Sequence, residues 1–295
     1  FMEEWRKGWH PERMRKTAPA KKVLVVGSGP AGLSAAHRLG LRGYEVVLAE
    51  ARKEVGGRVT LESKLPGLSA WARVRDYRMG QIGKMTNVEL YRDSKLTAED
   101  VLAFGAQHVC VATGSLWRRD AVARFHLRPV PVAAGVRVLT PDDIMAGEKA
   151  SGHVLIYDDD HYAMGGVLAE LLRSRGLAVT LVTPASDVSA FTEHTLERHR
   201  IAARLAEIGV DVVTHHVLAG VEAGAVTLTQ RDTGAARTIE AASVVLVTAR
   251  LPELGLYRAL REAQADGALS GVETIARIGD CDAPGAIFQA GIAIG

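Results

Sequence analysis

Residues 23–50 read VLVVGSGPAGLSAAHRLGLRGYEVVLAE, and residues 153–183 read HVLIYDDDHYAMGGVLAELLRSRGLAVTLVT. Both stretches follow one plan: an apolar strand, a short loop, a helix and a second apolar strand. In the first, the loop is Gly27-Ser28-Gly29-Pro30-Ala31-Gly32 and the second strand ends in Glu50. In the second, the loop is Asp158-Asp159-Asp160-His161. Two strand–helix–strand units in one chain predict parallel sheets with helices on both faces. The fold class expected is therefore α/β with two Rossmann-like parallel-sheet domains.

The glycine loop has the context its spacing needs: a strand before it, a helix after it and an acid about 20 residues on. Gly27 permits the tight turn, Gly29 lets a diphosphate approach the backbone, and Gly32 lets the helix lie close to the strand. Phosphates would rest at the helix N-terminus. Glu50 would accept hydrogen bonds from a ribose diol and would repel a 2′-phosphate. The plainer reading is a glycine-rich turn in an α/β core.

The acidic loop reads in the opposite sense. Each carboxylate about 5 Å from a diphosphate would cost about 3 kcal/mol at an effective dielectric near 20. Either these acids oppose a dinucleotide, or they are solvated and bend away. Metal binding by Asp158–His161 is a third reading. None of these makes a good site for a reduced nicotinamide dinucleotide.

Elsewhere the chain marks its elements by caps and stripes. A helix is expected over about 70–85. Thr97 with Asp100 forms a capping-box pattern, and Thr140-Pro141-Asp142-Asp143 is a helix start. Met164, Val167, Leu168, Leu171 and Leu172 form the apolar stripe of a helix lying on a sheet. A longer helix is expected over about 193–208, and strands over 107–112, 211–216, 225–230 and 243–248. Ala112-Thr113-Gly114 and Gly279-Asp280 each end a strand in small residues that permit close approach.

The 295 residues are 47% hydrophobic and 24% charged, with 36 basic and 34 acidic side chains. This composition suits a cytoplasmic globular protein of about two domains. No basic stripe points to nucleic acid, and no apolar run reaches membrane-span length. Two cysteines, Cys110 and Cys281, exclude a disulfide framework or a C-x-x-C metal site. His194 and His199 share no helix face, and His215 and His216 are adjacent on an expected strand, so they point apart. No hydrolytic constellation is present, and no catalytic residue is expected in this segment.

Taken together, GSGPAG with Glu50, Gly56-Gly57-Arg58, ATG at 112–114, TAR at 248–250 and GD at 279–280 resemble the glutathione-reductase-like flavoproteins. The resemblance is nearer to the C-terminal half of the trimethylamine, dimethylamine and histamine dehydrogenases. It is carried by EEWRKGWHPERMRK at 3–16, LPGLSAW at 65–71, RDYR at 75–78, LTPDDIM at 139–145 and DDDHYAMGGVLAELL at 158–172. It implies residues 1–20 as a linker from an N-terminal TIM barrel outside this sequence. It implies residues 21–140 plus 272–295 as an ADP/FAD-type domain, and 141–271 as a degenerate NAD(P)-type domain. The barrel would carry FMN and the amine site beside a [4Fe–4S] cluster. Electrons would pass to an electron-transferring flavoprotein, and the full-length enzyme would be a homodimer. ADP or FAD would lie against Gly27, Ser28, Gly29, Pro30, Ala31 and Gly32, with Glu50, Ala51, Arg52, Gly57, Arg58, Ala112, Thr113, Gly114, Gly279 and Asp280 around it. The chain's last residues read as the start of an apolar helix within a longer protein. One rival is a working FAD- and NAD(P)H-dependent reductase like the 2,4-dienoyl-CoA reductases, which keep a glycine-rich second loop. Another is a scaffold with no ligand.

Overall fold

The computed structural model describes residues 5–8, 16, 21–266 and 271–285. Most of the 3–16 stretch, and the apolar run over 286–295, lie outside the described residues. The chain divides into two compact units.

The first unit opens with β1 (Lys22–Val26), α1 (Pro30–Leu41) and β2 (Glu45–Ala49). Then follow α2 (Arg58–Glu62), α3 (Ala72–Ile82), β3 (Val88–Tyr91), α4 (Ala98–Phe104) and β4 (His108–Val111). The chain passes to the second unit, with β5 (Val138–Leu139), α5 (Pro141–Met145), β6 (Val154–Asp158), α6 (Met164–Ser174), β7 (Val179–Val182) and α7 (Arg198–Glu207). It continues through β8 (Asp211–Val213), β9 (His216–Glu222), β10 (Ala225–Gln230), β11 (Ala236–Glu240) and β12 (Ser243–Val247). It then returns to the first unit for α8 (Gly255–Ala265) and β13 (Thr274–Arg277).

In the first unit the sheet order is β13-β4-β1-β2-β3, all parallel. Alternation along β1 splits the core in two. Val23 and Val25 pack with Leu33, Ala36 and Ile82 on one face. Leu24 and Val26 pack with Val101, Val109 and Leu260 on the other. Helices therefore cover both faces. The order reverses at β1, which puts the loop after β1 at the topological switch point, where such sheets bind ligands.

In the second unit the sheet order is β5-β12-β6-β7-β8, again parallel. Val154 and Ile156 pack with Leu168 and Leu172 of α6. Leu155 and Tyr157 pack instead with Leu218, Val221, Val226 and Leu228. Those four belong to an antiparallel sheet of order β9-β10-β11. One face of this unit is thus covered by strands, where helices were expected.

Both unit boundaries fall earlier than the sequence pattern placed them. The first unit ends at Ser115 and resumes at Pro252, and Lys64–Ser69 group with the second. Burial explains the shift. Ala121, Val130 and Val138 are buried in the second unit's core, and Leu260 of α8 is buried in the first unit's core. The helix expected over 193–208 starts at Arg198, because Leu196 adopts φ +61° and breaks the turn before it. His215 likewise adopts φ +55°, so the strand expected over 211–216 stops at Val213, the next begins at His216, and the two histidines are not neighbours on one strand. The capping box expected at Thr97–Asp100 forms, and the helix start expected at Thr140 carries one too, with Asp143. Among the described residues no helix is long and apolar enough to cross a membrane.

Candidate nucleotide site

All sixteen residues singled out for cofactor contact belong to the first unit. Gly27 takes φ +104°, and a Cβ there would stand 2.4 Å from the Ala112 carbonyl oxygen. Strand β4 therefore presses directly on the loop after β1. A Cβ on Gly32 would lie 1.8 Å from the Gly27 carbonyl oxygen, so the contact between α1 and the end of β1 requires a bare backbone. Gly29 differs: among the described residues beyond its chain neighbours, no atom lies within 4 Å of where its Cβ would be. Its φ of −63° suits any residue. The glycine therefore answers to no neighbour in the fold, and what it keeps clear is space at the N-terminus of α1.

That N-terminus is dressed for an anion. Helix α1 begins at Pro30 without a side-chain cap and without an acid in its first turn. Its end N–H groups and the positive end of the helix dipole are left to a ligand. Gly279, at φ +62°, approaches Ala31 so closely that a Cβ would stand 2.4 Å from the Ala31 Cβ. Next to it, Asp280 accepts the Ser115 hydroxyl at 2.9 Å and the Gly285 N–H at 3.1 Å.

Glu50 is buried beside the loop, 7% exposed. Its Oε2 accepts the Ser28 N–H at 2.8 Å and the Ser28 hydroxyl at 2.5 Å, and its Oε1 accepts the Arg52 N–H at 2.9 Å. The Ser28 side chain is thus committed to Glu50, and only its backbone borders the loop. Ala51 and Arg52 are exposed. Gly57, at φ +54°, would bring a Cβ to 3.1 Å from the Gly29 Cα, so the 56–58 turn closes on the glycine loop. The Arg58 guanidinium donates to the Ser115 carbonyl at 2.8 Å. The Thr113 hydroxyl donates to the Glu253 carbonyl at 2.7 Å. Gly114 takes φ +80° at the end of this segment.

Sequence reading missed Ser115 and, although it quoted Gly56 in the motif, left it out of the site; these two tie Asp280 and Ser28 in place. Gly56 could have been found, since it doubles Gly57. Ser115 carries no signal beyond following the ATG turn. Cys110 is set apart from any reactive role: burial pushes its thiol up to about 11.

The acidic loop of the second unit is not solvated. Asp158 and Asp159 are fully buried. Asp158 Oδ1 accepts the N–H groups of Asp160 and His161, each at 3.1 Å. Its Oδ2 lies 2.3 Å from where a Cβ on Gly165 of α6 would stand. The carboxyl group thus fills the place beside the helix start that the first loop leaves to bare backbone. Asp159 Oδ2 accepts the Phe125 N–H at 3.0 Å, and its Oδ1 lies 3.2 Å from Nε2 of the buried His161. Burial, with the nearby Asp160 charge, raises the Asp158 carboxyl to about 7. Burial also raises Asp160, against the pull of Arg250 and Arg124. The solvated-acid alternative is therefore excluded for Asp158 and Asp159, while Asp160 is half-buried. Among the described residues no group of three or more His, Cys, Asp or Glu side chains could hold a metal ion.

Two dinucleotide-type α/β units, one with an open glycine cradle and an acid at the end of the following strand, define a nucleotide-dependent oxidoreductase architecture. The family profile described as pyridine nucleotide-disulphide oxidoreductase matches residues 21–281, and the chain belongs to that family. It is 33% identical to dimethylamine dehydrogenase of Hyphomicrobium sp. (strain x), over 98% of this chain and 42% of that protein. The solved structure of histamine dehydrogenase from Rhizobium sp. 4-9 matches with TM-score 0.95 and 49% identity, over 100% of this chain and 46% of that one. The 6-hydroxypseudooxynicotine amine oxidase from Pseudomonas geniculata N1 matches with TM-score 0.93 and 44% identity, over 99% of this chain and 44% of that one. The chain therefore spans less than half the length of these relatives, and the matches to the two dehydrogenases fall in their C-terminal half.

Proposed function

We propose that this chain is the adenine-nucleotide-holding part of an amine-dehydrogenase-type oxidoreductase, and that the nucleotide is ADP. The observation that carries the reading is the space kept at Gly29, beside an uncapped helix N-terminus and a buried Glu50. Backbone N–H groups at Gly27–Gly32 would take the diphosphate, and Glu50 the ribose. Ala51, Arg52, Gly57, Arg58, Ala112–Gly114, Gly279 and Asp280 would border the rest. ADP would supply no redox chemistry and would serve as a structural ligand. The second unit would hold a dinucleotide poorly, since its loop buries the Asp158 and Asp159 carboxyl groups, Asp158 facing Gly165 at the start of α6. Its role would be packing or docking within the parent enzyme.

The relatives' names support the parent's class. In that parent, FMN and the amine site would lie in an N-terminal barrel beside a [4Fe–4S] cluster. Electrons would leave to an electron-transferring flavoprotein, and the enzyme would be a cytoplasmic homodimer. The family match and Asp280 at the site favour one second reading: FAD in the first unit of a working NAD(P)H-dependent reductase.

Release of the bound small molecule by denaturation, followed by a visible spectrum and chromatography, tests the proposal. A colourless protein that releases ADP is expected. A yellow protein that releases FAD and bleaches at 450 nm on NADH addition would overturn it in favour of the reductase.

A further inference from the structure

A carboxylate offers about four acceptor positions, and the described residues fill three of those on Glu50. Oε2 takes both donors of Ser28, and Oε1 takes the Arg52 N–H. Ser28 is fully buried. The Gly56 N–H lies 2.9 Å from the Ser28 carbonyl oxygen and 3.4 Å from its Oγ. A hydroxyl has one proton to give. Receiving Gly56 and donating to Glu50 therefore fixes its direction. One side chain thereby ties the glycine loop, the acid and the 56–57 turn into a single rigid edge of the site.

Resting on the nucleotide reading above, we infer that Ser28 is a positioning residue for Glu50. It draws Oε2 into the protein and leaves a single acceptor position, on Oε1, for a ligand. The site therefore reads one hydroxyl of the ribose and ignores the other. A serine that only neutralised a buried carboxylate would produce no such selectivity.

Titration calorimetry on protein stripped of nucleotide, with ADP, 2′-deoxy-ADP and 3′-deoxy-ADP, tests this. In the wild type, one deoxy analogue is expected to bind within about twofold of ADP. The other should bind about tenfold or more weakly, the scale of one hydrogen bond to a charged group. In Ser28→Ala the gap between the two analogues should close to about threefold or less, because losing the hydroxyl frees an acceptor position on Oε2 for the second ribose hydroxyl, while the backbone N–H groups of residues 28 and 52 still hold the carboxylate. Equal penalties for both analogues in the wild type would overturn the inference, and that arm needs no variant to fold. An undiminished gap in Ser28→Ala would also overturn it. If the wild type binds no ADP at all, the nucleotide reading itself falls, and this inference with it. Binding of ADP with the wrong hydroxyl pattern defeats the inference alone.

Discussion

Gly29 and Gly32 stand three residues apart and answer to different constraints. Gly32 serves the fold, since its Cβ would collide with the Gly27 carbonyl. Gly29 has open space and an ordinary φ. Gly29→Val should therefore abolish ADP binding while costing about 1 kcal/mol of stability, the usual loss for a poor residue at a helix start. Calorimetry and a urea melt on the same variant check both halves. Retained binding would show that the nucleotide lies elsewhere. Asp158 makes the complementary case, a residue where ionisation opposes folding. Burial holds its carboxyl near 7, whereas the unfolded chain would release the proton near pH 4. The folded state binds the extra proton between those values, so this group lowers stability as pH rises from about 4 to about 7, and no further above that. Asp158→Asn does not titrate. Relative to wild type it should gain roughly 1–3 kcal/mol between pH 4.5 and pH 8, by chemical denaturation. Parallel pH profiles for the two proteins would refute this.

At the scale of elements, the loop and the helix behind it act together. Helix α6 lies so close to the end of β6 that Gly165 faces the Asp158 carboxyl, and a methyl group there would stand 2.3 Å from Oδ2. Gly165→Ala should cost about 2 kcal/mol or more by overpacking. Asp158→Ala should cost about as much, through the cavity it opens and the buried His161 N–H it leaves unpaired, the Asp160 N–H keeping the Val247 carbonyl. Combined, they should cost less than their sum by about 1 kcal/mol, since removing the carboxyl makes room for the methyl. Strict additivity in a urea double-mutant cycle would show that the helix is free to move. The stripe Met164–Leu172 made this helix legible from sequence, and the caps at Thr97 and Thr140 marked two more. The strands β9 and β11 were not legible, for physical reasons. β9 carries an irregularity between Leu218 and Gly220 that breaks its two-residue alternation. β11, ARTIE, is an almost wholly exposed edge with no apolar face to read. The turn at Leu196 was hidden because nothing in a leucine announces a left-handed backbone.

The two units repeat one strand–helix–strand plan and differ at the loop after its first strand, and on the proposed reading that loop decides what each unit would bind. Gly27, Gly29, Gly32 and Glu50 were readable in the sequence, because their types and spacing after a strand form a recognisable strand–loop–helix pattern, and the close contacts at Gly27 and Gly32 bear out the bare backbone that it needs. That Ser28 turns inward to Glu50 was not readable, since a serine in that loop could equally face a phosphate. Nor was the burial of Asp158 and Asp159, because a run of three acids reads as solvated until its hydrogen-bond partners are known. NADH is a decisive probe of the contrast, since its diphosphate suits the glycine loop of the first unit and would meet the buried acids of the 158–161 loop in the second. Hydrogen exchange read by mass spectrometry should show NADH and ADP slowing the same amides, around 27–33 and 50–58. Exchange over 158–166 should be unchanged by either ligand. Protection scales as RT ln(1 + [L]/Kd), so at a hundredfold excess over Kd the first set should gain about 2.7 kcal/mol. Slowing over 158–166 by NADH but not by ADP would place a nicotinamide dinucleotide on the acidic loop. The second unit would then be a working reductase domain, with Asp158 neutral and its buried proton part of the binding equilibrium.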